Sequence, residues 1–198
     1  MKKTILTLVR HGQTAANTGG IWHGSTDTAL SDHGHEQAAR VAEGIRKRFQ
    51  PDAIYASDLQ RAHNTALAIA KAVGVEVQLN PGLREYDLGS WEGRSYRELW
   101  DKEDLWGHMR KDPDFAPHGG ESPLEVTQRL VGTLEAIAAD HPGEQVVCVA
   151  HGGAMSMALG HILDGDYSQW KRILDNCSVA QITLPPDPEL LCFNEAWD

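Results

Sequence analysis

Apolar residues along this chain fall in two alternating patterns: short β-branched runs, and longer stretches with apolar positions three or four apart. The runs predict strands at Thr4–Val9, Asp52–Ser57, Val75–Leu79, Gln145–Ala150 and Ser178–Leu184, with "LLCF" at 190–193 as an edge strand. Helical spacing predicts a helix from Asp32 to about Phe49, carried by Ala38, Val41, Ala42 and Ile45 and capped by Ser31. Further helices are predicted at Leu59–Val73, ended by Gly74, at Glu121–Asp140 and at Ala154–Leu163. The middle of the chain is less regular. Asn80-Pro81-Gly82 breaks it, and an irregular stretch runs to Gly93. Ser95 to about Arg110 is weakly helical and holds Trp100 and Trp106, and "KDPDFAPHGG" reads as loop. Strands alternating with helices imply a layered α/β domain with a largely parallel sheet. One domain over residues 1–198 is expected, with a helical cap or insert at about 94–120.

Composition narrows the function. A chain of 198 residues can bury a sizeable core. No long apolar segment is present, so no membrane span or membrane partner is expected. "MKKTILTLV" begins like a signal peptide, but its apolar stretch is short and Arg10-His11 interrupts it, so it is expected to be the first strand. A formal net charge of −10 argues against nucleic acid as a partner. It leaves room for a locally positive pocket that binds a small anion. Cys148, Cys177 and Cys192 are scattered and make no CxxC pair, which points to the cytoplasm rather than to a disulfide framework.

The first and fourth strands end on unusual residues. "TILTLV" runs into Arg10-His11-Gly12, and "QVVCVA" runs into His151-Gly152-Gly153. In an open α/β sheet, ligands collect beyond the carboxyl ends of the strands. If the two strands are neighbours, both histidines face one crevice. Arg10 supplies a fork of donors suited to phosphate. Gly12 permits a tight turn beside a ligand. Thr14 and Asn17 add short polar groups, and Gly152 and Gly153 expose backbone N–H groups at a helix start. Arg61, in the first turns of the helix after Ser57, can reach the same crevice, whereas His63 and Asn64 read as ordinary helix residues. The long glycine-containing loop "LREYDLGSWEG" offers two carboxylates, Glu85 and Glu92.

These pieces together resemble the histidine phosphatase superfamily, in its phosphoglycerate mutase-like branch and most of all its small phosphatases. The resemblance rests on "LVRHGQTAAN", "DTALSDHGHEQA", "YASDLQRAHNTA", "LREYDLGSWEG", "HGGESPLEVTQRL" and "VAHGG", in the family's order from residue 4 to about 153. It implies a three-layer α/β sandwich and a metal-independent phosphomonoesterase that needs no cofactor and acts on small phosphorylated metabolites. It also implies residue roles. His11 would accept the phosphoryl group, Arg10, Arg61 and His151 would hold it, Asn17 would add a phosphate contact, and Glu85 rather than Glu92 would be the proton donor. Physical sense agrees. A neutral imidazole is a good nucleophile, and a backbone carbonyl can fix its other nitrogen. Glu85 must carry a proton when it meets the leaving oxygen; burial or phosphate charge would favour that, and Arg10 and Arg61 would oppose it. Trp22 and His23 fall where members of the family differ. With Trp91 they are candidate specificity residues.

Other readings compete. A cofactor-dependent phosphoglycerate mutase would use the same histidine, and Arg97, Arg110 and Lys111 are its candidate grips on a second acidic group. A phospho-ligand binding module would keep the fold without turnover. His33 and His35 form a close pair without a third ligand, so no metal site is expected. Neither a GxxxxGK[ST] loop nor a GxSxG elbow is present. Oligomeric state stays open between monomer and homodimer, since an edge strand can be paired or covered.

Overall fold

A computed structural model describes residues 3–116, 119–169 and 171–197. Pro117 and His118, within the loop and motif expected there, lie outside the described residues. The elements run β1 (Ile5–Arg10), α1 (Ala15–Gly19), α2 (Asp32–Arg48), β2 (Ala53–Ala56), α3 (Gln60–Val73), β3 (Val77–Leu79), α4 (Tyr96–Asp101), α5 (Leu105–Lys111), α6 (Pro123–Asp140), β4 (Gln145–Ala150), α7 (Gly152–Asp164), β5 (Ser178–Ile182) and β6 (Leu190–Ala196). One sheet has the order β3-β2-β4-β1-β5-β6. The first four of these strands are mutually parallel, and β5 and β6 close the far edge antiparallel. The architecture is the expected α/β sandwich.

Strand alternation splits the core across the sheet. Leu6, Leu8, Val146, Cys148 and Ala180 face one layer, where Leu130 and Leu134 of α6 and Met155 and Leu159 of α7 pack on them. Val9, Ile54, Val147, Val149 and Val179 face the other, against Val41 and Ile45 of α2 and Ala62, Ala66 and Ile69 of α3. Both faces are covered, which is why β4 reads as an unbroken apolar run. Leu99, Leu105 and Met109 anchor α4 and α5 to the first core.

Several boundaries differ from expectation. The stretch from Ser95 is two short helices, because the chain turns at Asp104 with φ +43°. A five-residue α1 forms where a turn was expected, since Thr14 and Asn17 make a reciprocal capping box. α7 starts at Gly152 rather than Ala154. β6 is longer than "LLCF" and delivers Trp197 onto α2, where a Cβ on Gly44 would overlap the Trp197 backbone.

Candidate active site

The register of two strands builds the centre. β1 and β4 pair in parallel from Ile5 with Gln145 to Arg10 with Ala150. The next residues on the two strands are His11 and His151. The His11 N–H donates to the Ala150 carbonyl at 3.0 Å, and the two imidazole centroids lie 5.1 Å apart. Both side chains are buried. Gly12 then turns against α2 so closely that a Cβ there would stand 2.5 Å from the Gly34 carbonyl oxygen. The turn therefore depends on glycine.

Hydrogen bonds fix what each imidazole offers. His11 Nδ1 lies 2.7 Å from the Gly12 carbonyl, which can only accept, so Nδ1 carries the proton and Nε2 keeps its lone pair. Arg61 donates Nε–H to Nδ1 of His151 at 3.2 Å, so the His151 proton sits on Nε2. That buried Nε2 has no hydrogen-bond partner. Burial foremost, and then the Arg61 guanidinium, holds both histidines well below the ordinary imidazole pKa. Both are neutral at pH 7.

The arginines are held differently. Arg10 donates through Nη1 to the Leu174 carbonyl at 2.7 Å, while its buried Nε has no partner. Gly152 lets it lie against α7, since a Cβ there would stand 3.0 Å from Arg10 Nε. Arg61 is fully buried and largely committed: besides His151 it donates to the Thr26 carbonyl at 2.8 Å and the Gly24 carbonyl at 2.6 Å. The resemblance implies that Arg61 helps to hold the phosphoryl group; here its guanidinium bridges His151 and the two carbonyls.

Glu85 occupies the start of α7. Its Oε2 accepts from Gly153 N–H at 2.9 Å, and Oε1 accepts from Ala154 N–H at 2.6 Å and Tyr86 N–H at 2.9 Å. The amides expected to wait for an anion at Gly152-Gly153 are thus partly taken by this carboxylate. Glu92 does something else. It accepts from Ser25 N–H at 2.6 Å and Thr26 N–H at 2.8 Å, pinning the tight turn at Gly24.

A cavity of about 280 Å³ opens over these groups, with Arg10, His11, Asn17, Glu85, Gly152 and Gly153 at its base. Trp22, His23, Tyr96, Trp106 and Ile173 form most of its wall. Asn17 Oδ1 accepts from Thr14 N–H at 3.0 Å and Asn176 Nδ2 at 3.3 Å, and its Nδ2 lies 3.5 Å from His23 Nε2. His23 also meets Thr28 Oγ1 at 2.7 Å, and burial, then Arg61 and Arg10, push its pKa down to about 3. Trp91 is not among the lining residues. It packs on Phe115 with centroids 6.1 Å apart, and Trp106 lines the cavity instead. Sequence spacing had no means of separating these two tryptophans. Asn176 and Ile173, from the segment before β5, escaped sequence reasoning because no motif marks them. His63 and Asn64 are half-buried helix residues, and His33 is exposed and meets Glu36 at 3.4 Å.

The chain matches the family model of the histidine phosphatase superfamily (branch 1) over residues 6–194. It is 36% identical over 195 residues to glucosyl-3-phosphoglycerate phosphatase of Mycobacterium tuberculosis, covering 92% of this chain and 86% of that protein. It is 35% identical over 186 residues to a probable phosphoglycerate mutase, GpmB, of Cronobacter sakazakii, with the same coverage of 92% and 86%. Among solved structures it is similar to phosphoserine phosphatase of Entamoeba histolytica in complex with 3-phosphoglyceric acid, with TM-score 0.85, 30% identity and 97% of each chain covered. The match to the family model over nearly the whole length, together with paired histidines at adjacent strand ends, places this chain in the histidine phosphatase superfamily (branch 1).

Proposed function

We propose that this protein is a phosphomonoesterase that works through a phosphohistidine on His11. The observation that carries the reading is the bond from His11 Nδ1–H to the Gly12 carbonyl, which leaves a neutral Nε2 as nucleophile in a pocket lined by Arg10, with the His151 ring 5.1 Å from the His11 ring. Nε2 attacks phosphorus in line as the ester P–O bond breaks. Arg10 and the Nε2–H of His151 stabilise charge on the outer phosphoryl oxygens, and Asn17 adds an amide donor. Arg61 supplies positive charge behind His151 and sets its tautomer.

Glu85 gives a proton to the leaving alcohol oxygen. Its Oε2 makes one backbone bond against two on Oε1, so Oε2 is the oxygen with room to hold and pass that proton. Water then attacks phosphorus, Glu85 takes the water's proton, the P–N bond breaks, and inorganic phosphate and free His11 result. The clamp is made of side chains, so no divalent ion is required. The three free cysteines support a cytoplasmic setting.

Acid-quenched and alkali-quenched enzyme tests this. A phosphoamidate, labile to acid and stable to alkali, should form from an aryl phosphate in the presence of a chelator, and His11→Ala should lack it. An acid-stable phosphoester, label persisting in His11→Ala, or activity restored only by a particular metal overturns the proposal.

A further inference from the structure

Beyond the reacting groups, the wall of the cavity has a chemistry of its own. Trp22, Tyr96, Trp106 and Ile173 give it an aromatic and aliphatic surface, and neutral His23 and the Tyr96 hydroxyl are its polar tips. Trp22 meets Tyr96 edge-on with centroids 5.6 Å apart. Trp106 carries the surface outward to Trp100, 5.0 Å away and 58% exposed. Ile173, 48% exposed, stands at the opening.

Charge is the second observation. Among the described lining residues Arg10 is the one permanent cation, and it belongs to the phosphate end beside Gly152. The arginines near the opening are engaged elsewhere, and Lys111 of α5 is exposed and does not line the cavity. Arg94 is tied to Glu98 at 3.1 Å and Glu103 at 2.6 Å, and Arg97 to Asp101 at 3.3 Å. Arg110 donates Nε–H to the Trp106 carbonyl at 3.1 Å, which folds it along its own helix. A carboxylate or second phosphate on the leaving group would lose water against rings and find no countercharge.

We infer that the substrates are phosphate monoesters of uncharged alcohols with a flat aromatic or extended apolar body, which lies along Trp22, Tyr96 and Trp106. This rests on the proposed phosphomonoesterase reading and narrows it. It sets the chain apart from relatives whose names carry a carboxylated substrate.

Four esters with alkoxide leaving groups separate body from chemistry: 2-phenylethyl phosphate, propyl phosphate, 3-phosphoglycerate and O-phosphoserine. The phenyl ring should raise kcat/KM at least about tenfold over propyl, since even small apolar groups discriminate by that much in a fitted pocket. Both carboxylated esters should fall below propyl phosphate. Trp106→Ala should narrow the phenylethyl-to-propyl ratio. Ile173→Lys, at an exposed site that tolerates change, should raise 3-phosphoglycerate relative to 2-phenylethyl phosphate. Equal rates on phenylethyl and propyl esters, a preference for a carboxylated ester, or ratios unmoved in both variants overturns the inference. Failure to release phosphate from any ester, including 4-nitrophenyl phosphate, would instead sink the phosphomonoesterase reading itself.

Discussion

Arg61 Nε–H points at Nδ1 of His151 across 3.2 Å, and this one contact decides which nitrogen of His151 keeps a proton for the pocket. An imidazole that accepts at Nδ1 must, when neutral, donate at Nε2. A neutral His151 therefore presents an Nε2–H donor, which under the proposed function meets a phosphoryl oxygen without carrying a charge. Arg61 can do this because it is wholly buried and anchored on the carbonyls of Gly24 and Thr26.

Arg61→Lys should then lose more than a charge-conserving change suggests. An ammonium cannot span two carbonyls and an imidazole with a planar fork. We expect kcat/KM to fall about 100-fold or more, in the range for losing one preorganised donor. The ¹⁵N spectrum should show His151 shifting from one tautomer to a mixture. A variant with slowed turnover but an unchanged His151 tautomer would separate Arg61 from this positioning role.

Glu85 and Glu92 should separate by leaving group. Glu85→Gln should slow alkyl phosphates about 100-fold and aryl phosphates far less, because general acid catalysis matters most for poor leaving groups. The ratio within one variant cancels damage to the start of α7. Glu92→Gln loosens the Gly24 turn and should lower both substrate types alike. A selective alkyl defect in Glu92→Gln, or an unselective one in Glu85→Gln, would exchange their roles.

Much of this centre can be read from the chain before any coordinates. The strand ends carry both histidines, and the runs around them are apolar enough to be buried on two faces. What the chain does not display is adjacency. Nothing local indicates that Arg10 pairs with Ala150, or that Glu85 closes the start of a helix more than sixty residues away. The same holds for close approaches such as Gly12 on Gly34, where one glycine has meaning only through the other. Short helices around Asp104 blur because packing of Leu99, Leu105 and Met109, rather than propensity, holds them in place.

Buried neutral histidines should also write themselves into stability. His11, His23 and His151 each titrate below their unfolded value near 6.5, with His23 at about 3. Between those limits the unfolded chain binds more protons than the folded one. Stability is thus complete above about pH 6.5 and lost as pH falls. His23 should remove about 2 kcal/mol between pH 7 and pH 5, and His11 and His151 should act in the same direction. Urea unfolding at pH 7, 6 and 5 measures this, and His23→Asn should reduce the slope by one proton. A midpoint independent of pH over this range would mean that these imidazoles titrate alike in the folded and unfolded states.

The fate of the phosphoryl group depends on who meets phospho-His11 next. A mutase must keep the dephosphorylated acid in place, exclude water, and hand the group back to a neighbouring oxygen. That requires a grip on the acid's carboxylate, and the sequence offered Arg97, Arg110 and Lys111 for it. None of the three lines the cavity: Arg97 is bound to Asp101, Arg110 to the Trp106 carbonyl, and Lys111 is exposed. A product without a grip leaves quickly, and water takes its place. We therefore expect phosphate release to dominate. With 3-phosphoglycerate and the bisphosphate primer supplied together, inorganic phosphate should appear faster than 2-phosphoglycerate. Rapid interconversion of the two phosphoglycerates with little free phosphate would show that the acceptor is the acid, and that a cation reaches the cavity only when substrate is bound.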